Sequence, residues 1–315
     1  MAHLVAEHGS LAAVALRLAE LATTPDDSAS VERALRRLRA RAQQDGGDYG
    51  RRLLRAFGLP RTVTGRIKWM GVYHSRFGDL PRSLCVDQLR VWDRPPVSES
   101  PARVWVELGF TGAALRARDF ATAQVHLRHA RAVRSNETAA KIEVGLVESF
   151  LASRLGEAEE AGNALAIVEP LLDDHELGPD ERACLQARWI DQRAYRLNHP
   201  VDHCAPDWRG ALALYASLPP GEVHPFVGYR RDAGLAYGHF KLGDHVTALA
   251  YAQSALEHAG DGGYVRLRAM GLGLLARILG DEAGAVARAR ALGIARRLED
   301  EELLGRIEHR PTPEA

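Results

Sequence analysis

Seven cations are the residues whose types and spacing could do chemistry. Arg76, Arg116, Arg154 and Lys241 each stand three residues ahead of an acidic residue in a short turn, at Asp79, Asp119, Glu157 and Asp244. Arg196 holds the same place ahead of Leu197-Asn198, and Arg277 stands four residues ahead of Asp281. Arg230, on the same predicted helix as Lys241, is assigned to the same row. A cation at a helix C-terminus complements the macrodipole and caps free carbonyls. A ladder of cations along one face does more: it suits an acidic peptide or a C-terminal carboxylate, with arginine forks setting the geometry.

Other chemistry is sparser. His199, His203 and Cys204 are zinc-ligand types. Pro200 and Pro206 prevent a helix from aligning the histidines, so residues 199–206 read as a surface loop and no metal site is assigned. No Gly-rich phosphate loop, nucleophile elbow or HExxH occurs. The expectation is a protein that is not an enzyme, with no catalytic residues and no cofactor.

The elements that must position the cation row are helices joined by a recurring turn: Phe77-Gly78-Asp79, Arg118-Asp119-Phe120, Leu155-Gly156-Glu157, Leu242-Gly243-Asp244 and Leu279-Gly280-Asp281. The acidic residues are 40, 38, 87 and 37 positions apart, and the long step holds a further pair enlarged by the insertion at 199–206. Six helical pairs follow, over about 63–92, 101–132, 139–172, 179–219, 225–258 and 263–298, with a short helix near 299–307 over the open end. Before them the first 25 residues hold a helix that Ser10 can cap, then Thr23 to Asp27 break it and Ser28 or Ser30 caps a second. Asp45-Gly46 ends that one, and 49–57 forms a third ahead of Gly58-Leu59-Pro60.

Within the pairs, small residues recur where two helices meet: Ala123 and Ala130, Ala248, Ala252 and Ala255, Ala285 and Ala289. With the turns above, these residues give a chain that resembles the tetratricopeptide-repeat family over about residues 63–298. Pairs three and four match poorly, and the spacing exceeds the family's repeat of about 34 residues. The resemblance implies an all-α, right-handed solenoid of about six hairpins, whose concave face binds a peptide or protein. It also implies that the end of each first helix, where the cations stand, faces that groove. Trp69, Trp105, Phe150, Tyr237 and Phe240 could line it.

Charge is balanced overall, with 41 basic and 41 acidic residues, yet positions 31–70 carry eleven Lys and Arg against three acids. Such a block suits an anionic partner. Residues 53–69 loosely resemble a helix-turn-helix, an apolar helix, a glycine turn and a basic helix, which would make Arg51, Arg52, Arg61, Arg66 and Lys68 DNA contacts. The alternative is thus a transcription regulator with a peptide-sensing repeat domain. No run of about 20 apolar residues marks a membrane span, no secretory signal is visible, and three scattered cysteines suit a reducing compartment, so a cytoplasmic location is expected. The expected domains are 1–62, 63–309 and a frayed tail at 310–315.

Overall fold

The computed structural model describes the chain except for residues 22–26, 41–46, 201–203, 221–223, 281 and 309–315. The expected break at Thr23 to Asp26, the stop at Asp45-Gly46, His203, the turn residue Asp281 and the tail lie outside the described residues. Among those described, every regular element is a helix. The chain divides into two compact units, Met1–Arg66 with Arg94–Ser100, and Ile67–Asp93 with everything from Pro101 onward.

The first unit holds α1 (Ala2–His8), α2 (Leu11–Glu20), α3 (Ser28–Ala40), α4 (Gly47–Phe57) and the start of α5 (Arg61–Gly71). Its core is Leu4, Val14, Ala15, Leu18, Val31, Leu35 and Leu53, with Val14 and Leu18 four apart on α2 and Val31 and Leu35 four apart on α3. The single helix expected over the first 25 residues is two. Gly9 takes a positive φ after α1, and Ser10 then caps α2 by accepting from the Ala13 N–H at 3.1 Å. Asp27, rather than Ser28 or Ser30, caps α3, accepting from the Ala29 and Ser30 N–H groups.

The second unit holds the rest of α5 and then α6 (Arg82–Trp92), α7 (Arg103–Arg116), α8 (Phe120–Ala132), α9 (Thr138–Leu155), α10 (Ala158–Val168), α11 (Pro179–Asn198), α12 (Trp208–Ala216), α13 (Pro225–Lys241), α14 (His245–Asp261), α15 (Val265–Leu279), α16 (Ala285–Arg297) and α17 (Glu301–Glu308). The recurring turn has a physical reason at each end. Arg118, Gly156 and Gly243 adopt left-handed backbone, and the next residue's N–H closes the helix by bonding a carbonyl five residues back: Asp119 to Ala114, Glu157 to Ala152, Asp244 to His239. Asp119 and Asp244 then start the next helix, accepting from the Thr122 and Thr247 N–H groups at 3.0 and 3.1 Å. One acidic residue therefore ends one helix and caps another. The same device recurs at Glu299-Asp300, where a left-handed glutamate conceals it in the sequence.

Two expectations of register change. Arg76 does not sit on the last turn of a helix, because α5 stops at Gly71 and Arg76–Asp79 is a separate 3-10 turn. Gly71 lies so close to α7 that a Cβ would stand 2.3 Å from the Trp105 carbonyl oxygen. In pair six the buried small residues are Ala287, Ala291 and Ala295, while Ala285 and Ala289 are exposed. The cause is a longer turn: α16 starts only after Gly284, which packs on the Ala276 and Gly280 carbonyls. Elsewhere Ala123, Ala130, Ala248, Ala252 and Ala255 are buried as expected.

Consecutive helices from α7 to α17 pack on one another. The odd-numbered ones also pack in series, α7 on α9, α9 on α11, α11 on α13, α13 on α15, α15 on α17, and α17 returns to α7. The row of pairs therefore closes. The closure is tied by hydrogen bonds between distant parts of the chain: Arg82 N–H to the Leu298 carbonyl at 3.0 Å, Ser83 to Glu299 through both backbone and hydroxyl at 2.8 Å, and Arg266 N–H to Asp79 at 2.6 Å.

Candidate functional site

The odd helices enclose a cavity of about 210 Å³, lined by α5, the 3-10 turn, α6, α7, α9, α11, α13, α15 and α17 and by no residue of α8, α10, α12, α14 or α16. Its walls are apolar at Met70, Leu108, Val147, Phe150 and Phe226, and charged residues are numerous among the rest. Five arginines, at 116, 188, 230, 266 and 306, line it against three carboxylates, Asp79, Asp191 and Glu302.

Among the lining residues is Tyr73, in the segment that follows α5. Arg230 donates to the phenol oxygen at 2.8 Å and Arg266 at 3.1 Å, while the Arg188 guanidinium lies 4.4 Å from the ring centroid. The Tyr73 N–H donates to buried Glu143, which also pairs with Arg188. Tyr73 is 39% exposed and is one of the residues that line the cavity. Burial alone would push its phenol up; the guanidiniums of Arg230, Arg266 and Arg188 outweigh burial and bring it down to about 8.

Each arginine is held in turn. Arg230 pairs with Asp191 at 2.8 Å, Arg266 with Asp300 at 2.7 Å, and Arg306 with Glu302 at 2.7 Å. Burial opposes the charge on Arg230 and Arg266, but Asp191 and Asp300 respectively hold both well above the usual arginine range. Five buried polar atoms of lining residues have no hydrogen-bond partner among the described residues: Asp79 Oδ2, Arg116 Nε, Gln192 Oε1, Arg230 Nε and Glu302 Oε2. Orphaned polar atoms on the wall of a cavity are what a polar ligand satisfies.

Of the seven cations in the sequence-derived row, Arg116 and Arg230 line this cavity. Arg116 is buried and is spent on the closure, donating to the Leu80 and Leu298 carbonyls and lying 3.5 Å from Asp300. Arg154 pairs with Glu302 at 3.1 Å, and Arg277 donates to the Arg306 carbonyl. Lys241 stands over the Trp208 ring, and Arg76 is exposed. Arg196 donates to the Ala158 carbonyl and lines a separate depression of about 510 Å³ with Arg193 and His199. That depression is larger, but among the described residues no charged side chain lining it is buried, so the cavity between the odd helices is the better-built site. Of the five aromatics, Phe150 alone lines the cavity, while Trp105 is core, its N–H given to Glu137.

The residues missed from the sequence are Tyr73, Arg188, Asp191 and Arg266. A signal for two of them exists: Arg188, Asp191, Gln192 and Tyr195 are spaced three, four and seven apart, a polar stripe along α11 that turns inward.

The DNA-contact residues divide. Arg51, Arg61 and Arg66 are exposed, Arg51 pairs with Asp48, and Arg52 lies over Tyr49 at 5.1 Å. Lys68 is instead clamped by Glu137 at 2.5 Å and Glu181 at 2.7 Å within the second unit, and those carboxylates raise its pKa against the opposing effect of burial. The His199 ring lies tilted against Tyr195, 4.5 Å between centroids, with Tyr237 at 6.4 Å, and Cys204 is exposed. Cys184 approaches His224 at 3.3 Å, but burial pushes the thiol up to about 12, so it stays protonated. No helix among the described residues is long and apolar enough to cross a membrane. No protein-family model matches the chain, nor does any curated protein or solved structure.

Proposed function

We propose that this protein is a non-enzymatic binding module, a right-handed solenoid of about six tetratricopeptide-like hairpins, that captures the acidic or C-terminal end of a peptide on its inner face. The observation that carries the reading is the convergence of Arg188, Arg230 and Arg266 on Tyr73 inside the cavity. A carboxylate entering there meets guanidinium forks and a phenol that accepts from two arginines and still has its own proton to donate. The volume of about 210 Å³ lies below the ~300–1,000 Å³ typical of sites for drug-sized ligands, so it admits a chain end.

The test is calorimetric titration of the full chain with acidic peptides bearing free or amidated C-termini, and with a small free carboxylate. Tight binding of the free-ended peptide, weakened about tenfold or more by Tyr73→Phe through loss of a charge-assisted hydrogen bond, is expected. Reversal of Arg116 and Arg154 to glutamate should abolish capture too, though both also hold the closure, which makes Tyr73→Phe the cleaner variant. Wild-type protein that binds none of these ligands sinks the proposal. A second reading, a DNA-binding regulator, is favoured by the exposed Arg51, Arg61 and Arg66 of the first unit. Its mark is a salt-dependent shift of duplex DNA that R51A/R61A/R66A removes.

A further inference from the structure

Away from the cavity, on the side of α7 that faces α8, two histidines aim at one buried carboxylate. His126 and His129 are three residues apart on α8 and so share a face. His126 Nδ1 lies 2.8 Å, and His129 Nδ1 3.6 Å, from the same Oε2 of Glu107. A ligand atom from each of the three residues falls within 4.8 Å of the others. Glu107 is buried at 2% exposure, whereas His129 reaches solvent, its side chain 52% exposed.

A hydrogen bond accounts for His126 and leaves His129 unexplained, since 3.6 Å is too long for one. Two donors bonded at 2.0–2.1 Å to one tetrahedral ion stand about 3.3 Å apart, and the two observed separations straddle that value. The outer shell is also in place. Arg103 donates to Oε1 of Glu107 through Nε at 3.0 Å and Nη2 at 2.9 Å, which turns Oε2 towards the histidines. Phe110 stacks on the His126 ring at 4.8 Å and fixes its plane.

We propose that Glu107, His126 and His129 bind one divalent transition-metal ion of the zinc class, with two imidazoles and one carboxylate as ligands. The ion ties α7 to α8 and keeps a coordination position open on the solvent side. Imidazole with carboxylate suits zinc, cobalt or nickel and disfavours the all-oxygen preferences of magnesium and calcium.

The experiment titrates the metal-free full chain with Zn²⁺ by calorimetry and with Co²⁺ by visible absorption. One equivalent should bind with cobalt bands of four- or five-coordinate character, and zinc should raise the melting temperature. His129→Asn, at an exposed position that leaves the core intact, should weaken zinc binding at least tenfold. His126→Asn with His129→Asn should remove the cobalt bands and the thermal shift, with helical content unchanged by circular dichroism. The proposal is overturned if wild-type protein binds no zinc. It fails equally if His129→Asn retains wild-type affinity, or if the double variant keeps the cobalt spectrum, since other histidines then hold the ion.

Discussion

At the scale of single residues, Tyr73 is the most consequential side chain. Its phenol is held at about 8, so it is a hydrogen-bond donor at neutral pH and an anion above that. A phenolate repels the carboxylate that the phenol would bind. Peptide affinity should therefore fall as pH rises through about 8, and the Tyr73→Phe protein should lack that inflection. The same shift bears on stability. An acid whose folded pKa lies below its unfolded value of about 10 contributes stability that is complete above 10 and gone below about 8. Urea midpoints of wild type and Tyr73→Phe should diverge from pH 8 to 10, in favour of wild type. Ultraviolet difference titration of the two proteins checks the cause directly, since a Tyr73 midpoint near 10 would remove it. Tyr73 was illegible in the sequence because each of its three arginines lies more than a hundred positions away.

At the scale of elements, much was legible. The left-handed residue followed by an acidic residue is a local device that stops one helix and starts the next, as at Arg118-Asp119, Gly156-Glu157 and Gly243-Asp244, whereas Gly78-Asp79 lies in a separate 3-10 turn and does not use it. The alanines that follow report how closely two helices approach. Ala252 is 1% exposed at the contact of α14 with α13 and α15, so Ala252→Leu should overpack that contact and cost about 1–3 kcal/mol in urea unfolding. Ala289→Leu should be neutral within about 0.5 kcal/mol, because the delayed start of α16 turns that position outward. Equal losses at both sites would show the register of α16 to be wrong. Sequence spacing missed this two-residue shift because it assumes that every turn has the same length.

At the scale of the whole second unit, closure decides what the cation row does. Asp300 is fully buried, lies 2.7 Å from Arg266 and 3.5 Å from Arg116, and accepts from the Leu303 N–H at 2.9 Å. Burial would raise its carboxyl, but Arg266 first and then the Leu303 N–H and Arg116 hold it below the usual carboxylate range. Its contribution is present above the ordinary carboxylate pKa and is lost as pH falls through the lowered value. Asp300→Asn leaves two buried guanidiniums short of a partner and should cost about 3–5 kcal/mol. Hydrogen exchange should then accelerate first in α17, the helix that joins the last pair to α7. A loss under about 1 kcal/mol, with α17 still protected, would mean that the ring is held elsewhere.

The amino-acid sequence by itself determined the helices, most of their ends and the small residues between them, because caps, left-handed turns and close packing are local or repeat at short range. It also pointed to a row of cations at the ends of the first helices. Only the tertiary structure decided that the row's ends meet. Closure puts residues near 73–83 beside residues near 230–300, buries Arg116 against the Leu298 carbonyl and Asp300, and gathers Arg188, Arg230 and Arg266 around Tyr73. Which distant helices meet depends on the summed packing angles of all the helices between them, and no local segment encodes that sum.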